Sequence, residues 1–261
     1  MKRKLIAFDL DGTLAPSKSP LPDRIGELLG RLLDHYEVCV ISGGKFGQFE
    51  KQLLKGLNAD PSRLERLHLM PTCGTRYYKY DIVQKDWQQV YAEDFSAAEK
   101  TKIIDALTQS VTELGYVEKE TWGETMEDRG SQITWSALGQ DIVDHLGSEE
   151  GVRRKEAWDP DNKKKNAIRE RTAQMLPEFE VRVGGITSVD ITKPGIDKAY
   201  GMRKLMELLQ IGKSEILFIG DRIMEGGNDY PVKVMGIDTI QISKWEETAL
   251  VVEAIVVTAA D

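Results

Sequence analysis

Two aspartates close together at the end of an apolar run are the residues of this chain best placed for chemistry. The segment 5–14 reads L-I-A-F-D-L-D-G-T-L, so Asp9 and Asp11 follow residues typical of a buried β-strand, and Gly12 then permits a turn. Residues two apart on an extended strand point the same way, so the two carboxylates can reach one ligand. One carboxylate can attack a phosphoryl group while the other transfers a proton, and both can help to hold Mg²⁺. A turn with two solvated acids is the alternative interpretation of this segment by itself.

Three later segments supply groups that suit a phosphate and a metal ion. Ser42 ends an apolar run and precedes Gly43 and a second glycine, which offers a hydroxyl and free amides to phosphate oxygens. Lys198 stands where a helix is predicted to begin, and its ammonium can neutralise both a carboxylate and a phosphate. Asp221 ends another apolar run and is followed by G-G-N-D at 226–229, so further acids could complete a metal site. Taken singly, the serine and glycines are also typical of a turn, and a lone helical lysine is typical of a solvated surface.

These residues must be positioned by strands and helices that alternate at both ends of the chain. Near the start, the pattern predicts a strand at 4–9, a helix at 23–35, a strand at 37–41, a helix after residue 44 and a strand at 68–71. Near the end, it predicts a helix at 198–209 and strands at 215–220 and 238–242. Strands joined through helices form parallel sheets, so we interpret the two ends as one doubly wound α/β sheet of Rossmann-like type.

The middle of the chain has a different pattern. It contains a predicted hairpin at 78–87, helices at 97–114 and 166–176, and strands at 130–136, 180–183 and 188–192. We interpret this stretch as a separate α/β domain, at 83–186, inserted into a core formed by 1–82 and 187–261. The acids and the lysine described above all fall in the core.

The composition of the chain restricts the classes of protein to consider. With 261 residues, of which 41% are hydrophobic and 30% charged, it resembles soluble globular proteins and has enough residues for two hydrophobic cores. No apolar run approaches the length of a membrane span, and the start M-K-R-K-L-I-A-F-D is too short and too soon acidic for a signal peptide, so we expect a cytoplasmic protein without membrane contact. The net charge of −8 argues against nucleic-acid binding. We expect Cys39 and Cys73 to be free thiols.

In their order along the chain, the four segments resemble the haloacid dehalogenase (HAD) superfamily of phosphotransferases. The resemblance implies that Asp9 is the nucleophile, which forms an aspartyl-phosphate, and that Asp11 is the general acid and base. It also implies that Lys198 and Ser42, with the loop at Gly43, bind the phosphate.

The same resemblance implies a Mg²⁺ cofactor and a cap over the active site. The residues implied at the metal are Asp9, Asp11 through its backbone carbonyl, Asp221, Asn228 and Asp229. The inserted domain corresponds to the large α/β cap of one HAD subfamily, which lies between the second and third motifs. Such a cap closes over a small phosphorylated substrate and selects it.

Longer segments resemble one family of that superfamily, the eukaryotic-type phosphomannomutases. The segments are M-E-D-R-G-S-Q-I-T-W-S-A-L-G-Q at 126–140, G-G-I-T-S-V-D-I-T-K-P-G-I-D-K at 184–198 and F-I-G-D-R-I-M-E-G-G-N-D at 218–229. Those enzymes move a phosphoryl group between two positions of mannose through a sugar bisphosphate. The resemblance implies that Arg129 binds the distal phosphate, that Ser188 and Asp190 contact the sugar or its phosphate, and that Lys18 lies near the entrance of the site. It also implies pairing of two copies through their caps.

The chain departs from that family where the distal phosphate would be held. The second arginine of the family corresponds to the neutral Gln140, and only Arg153 or Arg154 could replace the third. Lys18 stands for an arginine and cannot form its bidentate contact. Arg129 itself can pair with an acid at 127 or 128 instead of a phosphate. These departures weaken the dianion clamp that a mutase requires.

The leading interpretation is therefore a Mg²⁺-dependent phosphohydrolase of a small phosphorylated metabolite, with a phosphosugar as the favoured substrate. The alternative is a hexose phosphate mutase of phosphomannomutase type, which shares the first half-reaction and passes the phosphoryl group to a retained sugar instead of to water. The sequence leaves the sugar and the oligomeric state open. A third interpretation is a non-catalytic sugar-phosphate sensor, against which the joint presence of Asp9, Asp11, Lys198 and Asp221 argues.

Overall fold

The chain folds into two compact units, which are described separately. The computed structural model describes residues 3–259, so the first two and last two residues of the predicted core domain lie outside the described part. The core unit runs to Ala92 and resumes at Ile196, and the inserted unit comprises Glu93–Gly195.

The core unit contains a seven-stranded sheet. Its strands, numbered along the whole chain, are β1 (Leu5–Phe8), β2 (Glu37–Ile41), β3 (Leu67–Met70), β4 (Arg76–Asp81), β5 (Asp86–Ala92), β10 (Ile216–Gly220) and β11 (Asp238–Gln241). Their order is β11-β10-β1-β2-β3-β4-β5, in which the first five run parallel and the last two are antiparallel additions. Because parallel strands point the same way, the carboxyl ends of β1, β2 and β10 meet at one edge of the sheet.

Helices cover both faces of this sheet. They are α1 (Asp23–Leu32), α2 (Phe46–Phe49), which continues as a π-helical turn (Glu50–Leu54), α3 (Pro61–Leu64), α8 (Lys198–Leu209), α9 (Tyr230–Val234) and α10 (Trp245–Ala259). Ile6 and Phe8 of β1 lie in one hydrophobic cluster with residues of α1 and α10. Leu5 and Ala7 lie in another, with residues of α8. A strand covered on both faces has to be apolar at every position, which is why the run before Asp9 is uninterrupted.

The inserted unit contains a second sheet and four helices. Its strands are β6 (Met126–Asp128), β7 (Gln132–Ser136), β8 (Glu180–Val183) and β9 (Ser188–Thr192), which form an antiparallel sheet in the order β6-β7-β9-β8. Its helices are α4 (Ala97–Glu113), α5 (Ile142–Leu146), α6 (Ser148–Trp158) and α7 (Lys163–Met175).

The two central strands of the inserted sheet have one apolar and one polar face. Ile133 and Trp135 of β7 lie in a hydrophobic cluster with residues of β9, α4 and α7. The alternate positions of the two strands are polar: Gln132, Thr134, Ser136, Ser188, Asp190 and Thr192. Gln132, Thr134, Ser136 and Thr192 are buried, so most of this polar face is not exposed to solvent.

The fold class predicted from the sequence, a doubly wound parallel α/β core with an inserted α/β domain, is confirmed. The domain boundaries differ from the predicted 83–186, because the inserted unit comprises 93–195. Strand β5 stays in the core sheet, where it pairs with β4, and β9 stays in the inserted sheet, where it pairs with β7 and β8. The helices α5, α6 and α10 were not predicted from the sequence.

Two further expectations concern membrane contact and thiols. Across residues 3–259, no helix is both long enough and apolar enough to cross a membrane. Neither Cys39 nor Cys73 forms a disulfide, as predicted, although only Cys39 is buried.

Candidate active site

Asp9 lies at the carboxyl end of β1, in the middle of the parallel strands. Its backbone N–H donates to the carbonyl oxygen of Ile219 in β10 at 3.1 Å, which extends the strand ladder by one residue. The Asp9 residue is 3% exposed, and the Thr13 hydroxyl donates to Oδ2 of its carboxylate at 3.3 Å. Asp9 is thus a buried carboxylate at the edge where β2 and β10 also end.

Two glycines allow acids from other segments to approach Asp9. Gly12 has a φ of +84°, and a Cβ at this position would lie 2.6 Å from Oδ2 of Asp221. Gly220 ends β10, and a Cβ there would lie 2.5 Å from Oδ2 of Asp229. A side chain at either position would displace an acid. With both glycines in place, Asp9, Asp221 and Asp229 each offer a carboxylate oxygen within 4.8 Å of the others.

Lys198 brings a buried positive charge to these acids. It is the first residue of α8 and is 1% exposed. Its ammonium donates to Oδ1 of Asp9 and, at 2.5 Å, to Oδ1 of Asp229. The helix begins at this point because the side chain of Asp197 caps it, accepting a hydrogen bond from the backbone N–H of Tyr200 at 2.8 Å.

A close contact of α8 with the core positions Lys198. Gly201 stands about one turn after Lys198, and a Cβ at Gly201 would lie 2.5 Å from Cδ1 of Ile41. Gly74 faces it across the contact, and a Cβ at Gly74 would lie 2.4 Å from Cα of Gly201. The two missing side chains let the helix approach the end of β2, and this approach carries the lysine to the acids.

Burial governs the ionisation of the cluster. Burial raises the pKa of Asp9 to about 7; Lys198 opposes the rise and the charge of Asp229 adds to it. Burial and the charge of Asp229 also raise the pKa of Asp221. Burial by itself would lower the pKa of Lys198, but the two carboxylates bound to it raise that pKa above its ordinary value, so the lysine stays charged. The three carboxylates outnumber the Lys198 ammonium and the exposed Arg222 guanidinium, which lies 4.0 Å from Asp221, so an excess of negative charge remains that a cation would balance.

The three acids form a donor set that suits a hard divalent cation. Carboxylate oxygens are the ligands that Mg²⁺ and Ca²⁺ prefer. Of the metal ligands predicted from the sequence, Asp9, Asp221 and Asp229 come together here. Asn228 is exposed, although it directly precedes the buried Asp229. The carboxylate of Asp11 belongs to a different set of contacts.

Two glutamines hold the side chain of Asp11. Its Oδ2 accepts a hydrogen bond from Nε2 of Gln48 at 2.7 Å, and its Oδ1 accepts from Nε2 of Gln52 at 3.0 Å. Oδ1 also accepts from the backbone N–H of Lys18 at 2.7 Å, while the Lys18 residue is exposed. Neither glutamine was identified from the sequence, because their spacing of four on one helical segment is the only signal and is common in helices.

Ser42 and the glycines after it form a turn at the same edge of the sheet. Since β1 and β2 pair in parallel, Ser42 after β2 lies on the side of Asp9 after β1. Ser42 is 4% exposed, and its hydroxyl oxygen accepts from the backbone N–H of Gly44 at 3.2 Å. A Cβ added to Gly43 would have no heavy atom within 4 Å, so there is space beside the backbone of this turn.

In the inserted unit, the predicted phosphate ligand Arg129 is paired with an acid. Its Nε donates to Oε2 of Glu127 at 2.8 Å, and its Nη2 lies 2.7 Å from the same oxygen. The two side chains are only 18% and 17% exposed. The sequence had left this pairing open as the alternative to a phosphate contact.

The other predicted substrate residues of the inserted unit belong to its polar sheet face or follow it. Ser188 and Asp190 are in β9, and Gln140 comes shortly after β7. Burial raises the pKa of Asp190, and the charge of Arg129 partly opposes this. Within residues 3–259, Oδ1 of Asp190 and Nε2 of Gln140 are buried without a hydrogen-bond partner. Such groups can bind a polar ligand without giving up an existing contact.

The two candidates for a third arginine are both engaged on their own helix. Arg153 donates to Glu150 through Nε and Nη2, both at 2.7 Å. Arg154 donates to Glu150 at 2.8 Å and to Glu120 at 3.5 Å, and its guanidinium lies 5.0 Å from the ring centre of Trp122. Neither arginine therefore replaces the missing clamp in this arrangement.

Comparison with known sequences yields a consistent set of relatives. The family model described as haloacid dehalogenase-like hydrolase matches residues 6–231. A phosphomannomutase of Encephalitozoon cuniculi is 25% identical over 240 residues, covering 88% of this chain and 84% of the relative. A phosphomannomutase of Triticum aestivum is 27% identical over 234 residues, covering 87% of this chain and 85% of the relative.

Comparison with solved structures shows a shared fold. The N-terminally truncated, IMP-bound IMP-nucleotidase of Plasmodium falciparum has a TM-score of 0.66 at 15% identity, over 97% of this chain and 68% of that one. A trehalose-6-phosphate phosphatase of Aspergillus fumigatus has a TM-score of 0.54 at 16% identity, over 98% of this chain and 93% of that one.

Proposed function

The chain belongs to the haloacid dehalogenase-like hydrolases and is a phosphatase or phosphotransferase of that type, and we propose that it is a Mg²⁺-dependent phosphohydrolase of a phosphosugar. The observation that carries the proposal is the buried cluster of Asp9, Lys198, Asp221 and Asp229. It combines a carboxylate nucleophile, a fixed ammonium and further acidic oxygens for a cation. Phosphoryl transfer to a carboxylate requires these three elements.

In the proposed first half-reaction, Asp9 attacks the phosphorus atom of the substrate. A bond forms between a carboxylate oxygen of Asp9 and phosphorus, and the bond from phosphorus to the substrate oxygen breaks. Asp11 gives a proton to the departing oxygen, so that the substrate leaves as an alcohol. Lys198 neutralises the nucleophile, and the backbone amides after Ser42 can donate to the phosphoryl oxygens. A water oxygen then bonds to the phosphorus atom of the aspartyl-phosphate and passes a proton to Asp11. The bond between Asp9 and phosphorus breaks, which releases inorganic phosphate and restores Asp9.

The residues that would hold Mg²⁺ are Asp9, Asp221 and Asp229. When bound, the ion offsets the repulsion between an anionic nucleophile and an anionic phosphate. The charge balance of the cluster supports this assignment, because Lys198 and the exposed Arg222 together offset only two of the three carboxylates.

The inserted unit supports hydrolysis over isomerisation. A mutase has to bind a sugar bisphosphate in two opposite orientations, so it requires a strong site for the second phosphate. Arg129 is paired with Glu127, and Arg153 and Arg154 are paired with Glu150. With these arginines engaged by acids, a second phosphate would have to displace an existing ion pair. A monophosphate substrate makes no such demand.

The polar sheet face of the inserted unit supports a sugar as the substrate. Gln132 and Thr134 are buried and bind each other, whereas Ser188 is half-buried and Oδ1 of Asp190 has no hydrogen-bond partner among the described residues. Hydroxyl groups both donate and accept, so this mixed set of amide, hydroxyl and carboxylate groups suits a polyol better than a flat apolar base.

A phosphomannomutase-type mutase is the second candidate. The observation that favours it is the likeness to phosphomannomutases, which extends over more than four fifths of this chain and of each relative described above. The two candidates share the attack by Asp9 and differ only in the acceptor of the phosphoryl group.

The first experiment measures phosphate release from an aryl phosphate with and without Mg²⁺. We expect Mg²⁺-dependent release by the parent protein and none by Asp9→Asn. A parent protein that releases no phosphate under any divalent cation would refute the hydrolase proposal.

The second experiment separates hydrolase from mutase. Hexose and pentose monophosphates are tested singly, and mannose 1-phosphate is tested with a trace of sugar bisphosphate, while isomer and free phosphate are followed together. We expect free phosphate to form faster than isomer from at least one sugar. Isomer formed faster than phosphate from every substrate would establish the mutase instead.

A further inference from the structure

The carboxylate of Asp11 is surrounded by hydrogen-bond donors. Both of its oxygens are occupied: Oδ2 by Gln48, and Oδ1 by Gln52 and the backbone N–H of Lys18. Carboxyl oxygens accept hydrogen bonds from N–H groups, and three such contacts from three different residues restrict the rotation of the Asp11 side chain.

The two glutamines are themselves fixed in place. Gln52 is 3% exposed, and its backbone carbonyl accepts from the N–H of Leu21 at 2.8 Å. Nε2 of Gln48 also lies 2.9 Å from Oε1 of Gln52, so the two amides bind each other as well as Asp11. A Cβ at Gly44 would lie 2.0 Å from Oε1 of Gln48, so this glycine provides the space that the Gln48 amide occupies.

The backbone around these contacts is irregular in two places. Gln52 lies within the π-helical turn Glu50–Leu54, a form that is rare and is frequent at functional sites. Lys18 has a φ of +56°, a left-handed conformation that is unfavourable for a residue with a side chain. In that conformation its N–H reaches Asp11. The chain thus keeps two uncommon conformations next to the donors of one carboxylate.

We propose that Gln48 and Gln52 are positioning residues, which fix the orientation of the Asp11 side chain from which it acts as the acid. The proposal rests on the proposed function, in which Asp11 protonates the departing oxygen. Gln48 binds Oδ2, while Gln52 and the backbone N–H of Lys18 bind Oδ1, so both oxygens of Asp11 are held. Loss of either glutamine removes one of these contacts and leaves the Asp11 side chain free to turn.

In the first half-reaction, the bond between Asp9 and phosphorus forms and the bond between phosphorus and the alcohol oxygen breaks. The proton of Asp11 moves to that oxygen, which leaves Asp11 as a carboxylate. This transfer requires the Asp11 side chain to be oriented toward the departing oxygen.

If Gln48 and Gln52 position Asp11, the effect of replacing them on the rate depends on the leaving group of the substrate. An alcohol needs a proton to depart, whereas p-nitrophenolate departs readily without one. Loss of a glutamine donor should therefore slow transfer from an alkyl phosphate and spare an aryl phosphate. The relevant parameter is kcat/KM, because it reports the steps up to departure of the alcohol and excludes hydrolysis of the aspartyl-phosphate.

The experiment compares benzyl phosphate with p-nitrophenyl phosphate, two substrates of similar shape, in the full chain with Mg²⁺. The variants are Gln48→Met and Gln52→Met, which keep the side-chain length and remove the donor. Gln109→Met is the matched control, since Gln109 is an exposed helical residue bound to Glu113.

For each methionine variant in the Asp11 site, we expect kcat/KM on benzyl phosphate to fall by about 10–100-fold and kcat/KM on p-nitrophenyl phosphate to change by less than about threefold. Gln109→Met should match the parent. Equal losses on both substrates, or no loss on benzyl phosphate, would overturn the positioning role while leaving the hydrolase intact. A parent protein inactive on both substrates would overturn the proposed function and the positioning role together. Misfolding would lower both activities in proportion, so the melting temperature of each variant is measured as well. A variant that melts near the temperature of the parent is folded, and its activities then report on Asp11.

Discussion

Replacing Lys198 by methionine removes the only ammonium found among the described contacts of the acid cluster. Methionine has a similar length and volume, so the packing of α8 is retained and the change is one of charge. The ammonium is 1% exposed and donates to two buried carboxylates. After the replacement, the countercharge that remains near the three acids in the described contacts is Arg222, which is exposed and lies 4.0 Å from Asp221.

The size of the effect follows from burial. Removing one partner of a buried ion pair leaves an uncompensated charge, which costs about 3–5 kcal/mol of the free energy of unfolding. For a unit of roughly 150 residues, this corresponds to a fall in Tm of about 6–20 °C. A divalent cation that binds the folded acids should reverse part of this loss, since binding to the folded state alone raises Tm.

The assay is thermal unfolding of the parent and of Lys198→Met, each in EDTA and in Mg²⁺. We expect the variant to melt well below the parent in EDTA and to gain more from Mg²⁺ than the parent does. Lys4→Met is the matched control, because Lys4 pairs with Glu215 at the surface and its side chain is 60% exposed, so its Tm should change little. Equal melting temperatures of the parent and Lys198→Met in EDTA would refute the charge argument. An equal gain from Mg²⁺ in both proteins would refute the assignment of the three acids to the cation.

Three further outcomes are expected. Asp9→Asn should abolish phosphate release from every substrate while the far-UV circular dichroism stays that of the parent; residual turnover would show that another group is the nucleophile. Gly201→Ala should lower the free energy of unfolding by about 1–3 kcal/mol in urea titrations, because the added methyl group pushes α8 away from the core. The same shift moves Lys198 away from the acids and should lower kcat, so an unchanged kcat would contradict the link between this contact and Lys198. Burial lowers the pKa of His68 below its ordinary value of 6.5, and its contact with Glu37 only partly opposes this. The unfolded chain then binds a proton that the folded chain excludes, so the free energy of unfolding decreases as the pH falls below about 6.5. The fall in Tm between about pH 7.5 and pH 5.5 should therefore be smaller in His68→Gln than in the parent. An equal pH dependence in both proteins would assign the effect to other groups.

Features that depend on short stretches of chain could be predicted from the sequence. An apolar run that ends in a carboxylate marks a buried strand and its carboxyl end, so Asp9 after β1 and Asp221 after β10 were placed correctly. Because strands joined by helices run parallel, their ends had to share one edge of the sheet. The start of α8 at Lys198 follows from the same local reasoning, with Asp197 as its cap. These properties need no knowledge of partners that are distant in sequence.

Helix α10 shows where local reasoning stops. It contains the run A-L-V-V-E-A-I-V-V, which is rich in β-branched residues and therefore has a local preference for strand. In the structure, this helix packs in a cluster with α1 and the sheet, and the burial of residues such as Val252 and Val256 outweighs the local preference.

Only the tertiary structure decided which side chains and strands are partners. Hydrogen bonding to β4 assigns β5 to the core, and pairing with β7 assigns β9 to the inserted unit, so the domain boundaries depend on contacts between remote segments. The same holds for the binding of Asp11 by Gln48 and Gln52, which lie 37 and 41 residues away along the chain. The sequence alone determined the order of the motifs and the chemistry that they allow. The pairing of each charge was decided by the tertiary structure, because an ion pair or hydrogen bond depends on distances that the spacing of residues along the chain does not specify.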